Sequence, residues 1–485
     1  MAHSGRPLRI AVIGAGASGV MAVIKLREAG YDDVVVFEKA DDLGGTWRDN
    51  RYPGLTCDVE SHAYRYSFAP NPDWSATCSP GPEIQAYLKR VARDHGVEAH
   101  IRFGHEVVAA RFEQDRWAIT TNRGPQGAFD VVITATGVLH HPALPDIAGL
   151  KTFAGPCFHS SAWPDGLDLT GKRVGVVGTG STATQIVKAI TPQVAALTLF
   201  QRTAQWVLPL PNPPISEDRK AEFRDDPALL ESEYNRLNLG MVVKFADALV
   251  GENPHTYQRI VDICAAHLDT IGDPELKLKM TPDHRPGCKR MVMAEGFYEA
   301  LQQPNAGLVT EAIAGVEPGG VRTADGVLHG LDVLVLATGF NTHRFFRPMA
   351  VTGPDGTTLA QAWADKNEGY KCVATPGFPN WFMIGGPNSP IGNYSWLLTA
   401  ERQFGFIKQL IDLIASGAAR RIAPTRAATA AFNAALQQKI PDTIWATGCK
   451  SWYIDSKGRI ASWPWTFAKF ESDMSAPVLQ DFELG

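Results

Sequence analysis

Two copies of one local pattern limit what this chain can fold into. The first is a β-branched run, Leu8-Arg-Ile-Ala-Val-Ile13, followed at once by Gly14-Ala-Gly16-Ala-Ser18-Gly19 and a helical run from Val20 to Ala29. The second is Lys172-Arg-Val-Gly-Val-Val177, then Gly178-Thr179-Gly180-Ser181-Thr182-Ala183 and a helix from Thr184. In each loop the first glycine permits a tight turn and the second lets the backbone approach a pyrophosphate. The third position must be small so that helix and strand pack closely. Phosphates then lie at the helix N-terminus, where free N–H groups and the helix dipole favour anions. The predicted fold class is α/β, with two Rossmann-like dinucleotide-binding domains.

The residues expected to read the ribose differ between the copies. Val34-Val-Val-Phe37 ends in Glu38, 24 residues after Gly14, whereas Arg202 stands 24 residues after Gly178, beside Thr203. A carboxylate accepts hydrogen bonds from ribose hydroxyls but repels a 2′-phosphate, which a guanidinium binds through charge-assisted pairs. The first unit is therefore expected to take FAD and the second NADPH in preference to NADH.

Between and beyond these units the pattern changes. A helix is predicted over 81–96 and strands over 106–112 and 117–121, and Asp130-Val-Val-Ile-Thr-Ala-Thr-Gly137 reads as an apolar strand running into a glycine turn. His140-His141-Pro142-Ala-Leu-Pro145 reads as an extended linker, since proline turns its predecessor away from helix. Residues 213–280 lose the strand pattern and read as inserted helices. Asp332-Val-Leu-Val-Leu-Ala-Thr-Gly339 repeats the 130–137 strand and suggests a return to the first domain. The expected division is 1–145 with 330–485 as the FAD-binding domain, 150–212 with 285–329 as the NADP-binding domain, and 213–284 as a helical insertion.

Composition excludes several classes of protein. A net charge of -5 gives no electrostatic case for nucleic acid. No apolar run approaches the ~18 residues of a membrane span, and the N-terminus lacks the regions of a signal peptide. Seven cysteines, odd in number and never spaced C-x-x-C, suggest a reducing cytoplasmic setting with neither a zinc site nor a redox disulfide. The His140-His141 pair has no Cys, Asp or Glu beside it at ligand spacing, so no metal is expected. The oligomeric state stays open.

Two further stretches narrow the function. Gly44-Gly45-Thr46-Trp47-Arg-Asp-Asn-Arg51-Tyr-Pro53-Gly54-Leu-Thr-Cys57-Asp58 is similar to the G-G-x-W-x-x-x-R-[FY]-P-G-x-x-x-D signature of type I Baeyer–Villiger monooxygenases. Phe153-Ala-Gly155-Pro-Cys-Phe-His159-Ser-Ser-Ala-Trp163-Pro164 resembles the fingerprint of the same family, F-x-G-x-x-x-H-x-x-x-W-P. Heteroatom-oxidising relatives typically carry tyrosine and a basic residue where Trp163-Pro164 stands. The resemblance implies an FAD- and NADPH-dependent enzyme that inserts one oxygen of O2 next to a ketone carbonyl, through a C4a-peroxyflavin, to give an ester or lactone.

Roles for particular residues follow from the same resemblance. Glu38, Gly45, Thr46, Trp47, Asp58, Tyr64 and Val107 would contact FAD or its surroundings. Ser181, Thr182, Gln185, Thr203 and Lys289 would join the Gly178 loop and Arg202 at NADPH. Ile391, Gly392, Asn393 and Trp396 would line the substrate pocket, and Trp452 would lie on the segment that closes over nicotinamide. Arg290 would be the essential cation, Asp58 its carboxylate partner and His159 a coupler of domain rotation. A disulfide reductase shares the two-dinucleotide layout but needs a paired-cysteine motif that this chain lacks. A flavin monooxygenase oxidising N or S atoms, and a non-oxygenating FAD/NADPH redox sensor or docking module, remain open alternatives.

Overall fold

The computed structural model describes residues 7–392 and 394–485, with residues 243 and 244 as backbone only. Two five-stranded parallel sheets dominate it. The first runs Trp381–Met383, Val131–Thr134, Ile10–Ile13, Val34–Phe37, Ile101–Arg102. The second runs Ala306–Val309, Ala196–Phe200, Arg173–Val177, Val333–Leu336, Cys157–His159. Strands this apolar suit parallel sheets, because helices cover both faces. Ile10, Val12, Val131 and Ile133 are fully buried in the first sheet, as are Val174, Val176, Leu334 and Val335 in the second.

The sheets explain the repeated Asp-Val…Ala-Thr-Gly sequence and correct one expected boundary. Val131–Thr134 flanks the loop-bearing strand Ile10–Ile13 in the first sheet. Its twin, Val333–Leu336, flanks the loop-bearing strand Arg173–Val177 in the second. The repeat marks one equivalent strand in each unit, not a return to the first. The chain rejoins the first sheet only after residue 336, with Trp381–Met383.

The helices that follow the two glycine loops, Ala17–Glu28 and Ser181–Ile190, start three residues earlier than the hydrophobic period suggests. Their N-caps are Gly16 and Gly180, and neither has a side-chain cap. The inserted helices begin differently. Asp226, Asn253 and Asp273 each accept hydrogen bonds from the first turn, with Pro227, Pro254 and Pro274 just inside the start. Proline suits that place because its missing N–H is one the helix could not use. Thus side chains satisfy the insertion's helix ends, while the N–H groups of the two loop helices stay free for a ligand.

The insertion lies between Val207–Leu208 and Val292–Met293, which pair in parallel and fix where the chain leaves and re-enters. Lys289 and Arg290 precede the second of these strands, separated from it only by Met291. The cysteines correct a second expectation, since Cys288 and Cys449, 161 residues apart, form a disulfide. Sequence spacing carries no information about such a pairing. Among the described residues no helix is long and apolar enough to cross a membrane, and no group of His, Cys, Asp and Glu could hold a metal ion.

Candidate active site

Both glycine loops open into a single cavity of about 1650 Å3. Gly14 and Gly178 have φ of +106° and +121°, a region that favours glycine. A Cβ at Gly14 would sit 2.7 Å from the Ala135 carbonyl oxygen, and one at Gly178 would sit 2.3 Å from that of Ala337. Each loop therefore presses against the Ala-Thr-Gly turn of its own unit. Gly14, Gly16 and Ser18 line one part of the cavity, and Gly178, Thr179, Gly180, Ser181 and Thr182 line another. Gly19 does not line the cavity, and a Cβ there would sit 1.9 Å from the Gly14 carbonyl oxygen.

Glu38 lines the cavity but is only 4% exposed. Its carboxylate accepts from Ala15 N–H at 2.8 Å, Ala40 N–H at 2.9 Å and Arg48 Nη1 at 3.0 Å. An ionised carboxylate can accept about four hydrogen bonds, so capacity remains for a ribose hydroxyl. Gly45, Thr46, Trp47, Asp58, Tyr64 and Val107 face the same space. The Trp47 indole donates to the Tyr64 hydroxyl at 3.2 Å and meets its ring edge-on. Ile391, Gly392 and Trp396 also line the cavity, and Trp396 Nε1 donates to Ser18 Oγ at 3.0 Å, so this tryptophan braces the first loop. Asn393 lies outside the described residues.

On the other side, Thr179 Oγ1 donates to the Thr203 carbonyl at 2.8 Å and ties the glycine loop to the strand end. Gln185 donates to the Thr56 carbonyl and accepts from the Tyr52 hydroxyl, joining the second unit to the signature loop of the first. Arg202 and Lys289 both face the cavity. The Lys289 pKa is lowered, mainly by burial and further by Arg202, while Asp283 opposes the shift. Two cations that disfavour each other's charge suit a doubly charged phosphate.

Arg290 and Asp58, 232 residues apart in the chain, meet in this space. Arg290 Nη2 donates to Asp58 Oδ2 at 2.6 Å, and both side chains are partly buried, at 34% and 18% exposure. The Asp58 carboxylate raises the arginine's pKa and burial opposes it. Gly392, at φ +87°, permits this placement, because a Cβ there would be 2.8 Å from Arg290 Nη1 and from the Tyr453 hydroxyl. Burial pushes the Tyr453 pKa up to about 12, with Arg290 opposing, so the phenol stays protonated near neutrality.

His159 is not part of the cavity wall. It ends the edge strand of the second sheet, donates through Nε2 to the Gly339 carbonyl at 2.9 Å, and accepts at Nδ1 from Ser161 Oγ at 2.8 Å. Burial lowers its pKa, consistent with a neutral ring whose two nitrogens are both engaged. Its ring bonds thus tie the end of this edge strand to the Gly339 turn.

Residues 7–211 match the flavin-binding monooxygenase-like family model. A monooxygenase of Mycobacterium tuberculosis is 46% identical over 99% of this chain and 97% of its own length. A Baeyer–Villiger monooxygenase of Streptomyces coelicolor is 40% identical over 98% of this chain and 92% of its own. This chain belongs to the type I Baeyer–Villiger monooxygenases. The crystal structure of cyclohexanone monooxygenase from Rhodococcus sp. Phi1, bound to NADP+, superposes with a TM-score of 0.88 at 31% identity and covers 99% of both chains.

This Baeyer–Villiger monooxygenase also uses residues that motif reasoning passed over. Arg48 neutralises the buried Glu38 carboxylate, Tyr52 joins the two units through Gln185, and Tyr453 faces Arg290. Arg48 and Tyr52 sit inside the signature stretch, so their place in the motif was the available signal. Tyr453 adjoins Trp452, but nothing in its spacing points to Arg290. Leu237, Gly240, Met241 and Phe245 bring the helical insertion into the cavity wall.

Proposed function

We propose that this enzyme carries out Baeyer–Villiger oxygenation of ketones in the single cavity shared by the two glycine loops, with Arg290 as its essential cation. FAD and NADPH are its cofactors and O2 its oxidant. The residues fit them, with two uncapped helix N-termini behind glycine cradles, a carboxylate with spare acceptor capacity in one unit, and the Arg202–Lys289 pair in the other. The observation that carries the reading is the Arg290–Asp58 ion pair within the cavity that both cradles line.

Bound FAD supplies the redox chemistry, accepting hydride from NADPH and activating O2 for insertion beside the carbonyl. The protein supplies position and charge. Arg290 keeps a fixed positive charge where negative charge develops on oxygen, and arginine retains that charge when partly buried. Asp58 orients the guanidinium through the 2.6 Å bond. Leu237, Met241 and Phe245 offer an apolar wall for the ketone's carbon skeleton and exclude water. Ile391 and Gly392 would complete that wall beside the cation.

The nucleotide preference has a direct test. Charge-assisted hydrogen bonds are worth about 1.5–3 kcal/mol, so Arg202→Ala should raise the Michaelis constant for NADPH by about tenfold to a hundredfold. The value for NADH should change little. Steady-state kinetics with both nucleotides decides the matter, and equal changes would overturn the role of Arg202.

A further inference from the structure

The Cys288–Cys449 disulfide joins two segments that matter to the site. Cys288 directly precedes Lys289 and Arg290, and Cys449 directly precedes Lys450, Ser451 and Trp452. All five of these following residues line the cavity. The bond thus fastens the loop that carries the essential cation to a C-terminal strap across the same opening. Both cysteines are buried, at 0% and 8% exposure, in a cluster with Met291, Ile444, Trp445 and Tyr453.

Beyond the disulfide, side chains hold the strap: Lys457 and Arg459 pair with Asp365, and the Tyr453 and Trp463 rings are buried. Between the turn ending at Thr447 and the helix starting at Phe467 it forms no helix and only an isolated bridge between Ile454 and Ile460. The Trp452 carbonyl accepts from His343 Nε2 at 2.9 Å, and the Tyr453 carbonyl accepts from Ala461 N–H at 2.7 Å. A segment with little regular structure opens locally at low free energy. A covalent tie at Cys449 therefore has more effect here than it would inside a helix or sheet.

We infer that Cys288 and Cys449 form a reversible oxidation site, a latch that fixes the strap over the cavity when disulfide-bonded and frees it when reduced. The oxidant is a peroxide. One thiolate attacks the peroxide and becomes a sulfenic acid, and the second thiol displaces its hydroxyl. Two thiols and one hydrogen peroxide give one disulfide and two waters, the two sulfurs losing the two electrons that the peroxide gains. A dithiol reductant reverses the change and becomes a disulfide itself. A lysine follows each cysteine, and nearby cations favour the reactive thiolate.

The test compares the wild-type holoenzyme in its two redox states, with Cys449→Ser as a control. After treatment with hydrogen peroxide, denatured protein should show five free thiols, and after a dithiol seven, with the 288–449 link found by peptide mass mapping. Hydrogen exchange across residues 449–461 should be about tenfold faster in the reduced enzyme, and the Michaelis constant for NADPH should rise. Cys449→Ser should exchange rapidly in both states. Seven thiols after peroxide, or five with equal exchange in the two states, would overturn the latch. Only the NADPH readout rests on the functional reading above. Loss of that readout with thiol counts and exchange intact would count against the nucleotide site and not against the latch.

Discussion

Arg290→Ala is expected to lower ketone oxygenation by about a thousandfold, the loss typical of removing a fixed electrostatic stabiliser, while NADPH still reduces the flavin at close to the normal rate. The guanidinium is partly buried and bonded to Asp58 at 2.6 Å. Removing it takes away the positive charge and also leaves a carboxylate unpaired in the cavity. An uncompensated, partly buried anion reverses the local field, so the substitution costs more than the loss of one donor. Arg290→Lys should recover little, because an ammonium on a flexible stem does not reproduce a planar group aimed between Asp58 and Gly392. Asp58→Ala should do less harm, since the arginine stays charged and loses only its orientation. Rapid-mixing kinetics separates flavin reduction from product formation. Equal slowing of both half-reactions in Arg290→Ala would place the residue in general structural support.

The second large effect is expected at Gly19. Alanine there would place its Cβ 1.9 Å from the Gly14 carbonyl oxygen, a backbone atom that cannot rotate away. Overpacking of this kind typically costs about 1–3 kcal/mol, and more when backbone must move. The loop that moves is the one proposed to hold FAD. Gly19→Ala should therefore lose bound flavin on gel filtration as well as melt at a lower temperature. The second unit provides an internal control, because its equivalent position is already Ala183, fully buried. Ala183→Gly should cost only about 1 kcal/mol, the usual penalty for glycine in a helix. Full flavin occupancy and an unchanged melting temperature in Gly19→Ala would refute the tight approach of helix and strand.

Much of this site was legible in the sequence because its chemistry is local. The turn, phosphate approach and ribose position of each dinucleotide unit fall within about thirty residues at fixed spacing. Gly14, Glu38, Gly178 and Arg202 could therefore be placed by counting. Arg290 and Asp58 are far apart in the chain, and only the family resemblance paired them. Three features escaped because nothing local encodes them. The Val333–Leu336 strand has the same sequence pattern in either sheet, so only its pairing assigns it. Cys288 and Cys449 meet through the fold, and Tyr453 reaches Arg290 only because residue 392 has no Cβ. His159 sits in the strongest fingerprint of the chain, yet its ring bonds to Ser161 and Gly339 and does not line the cavity.

Reducing equivalents from NADPH are proposed to place one atom of O2 beside a ketone carbonyl. The most direct measurement is mass spectrometry of the products formed from a panel of ketones under 18O2, with NADPH consumption followed in the same vessel. The expected result is an ester or lactone carrying one 18O for each NADPH consumed, and its near absence with Arg290→Ala. NADPH consumption that yields only hydrogen peroxide across the panel, or only S-oxides when sulfides are added, would contradict it.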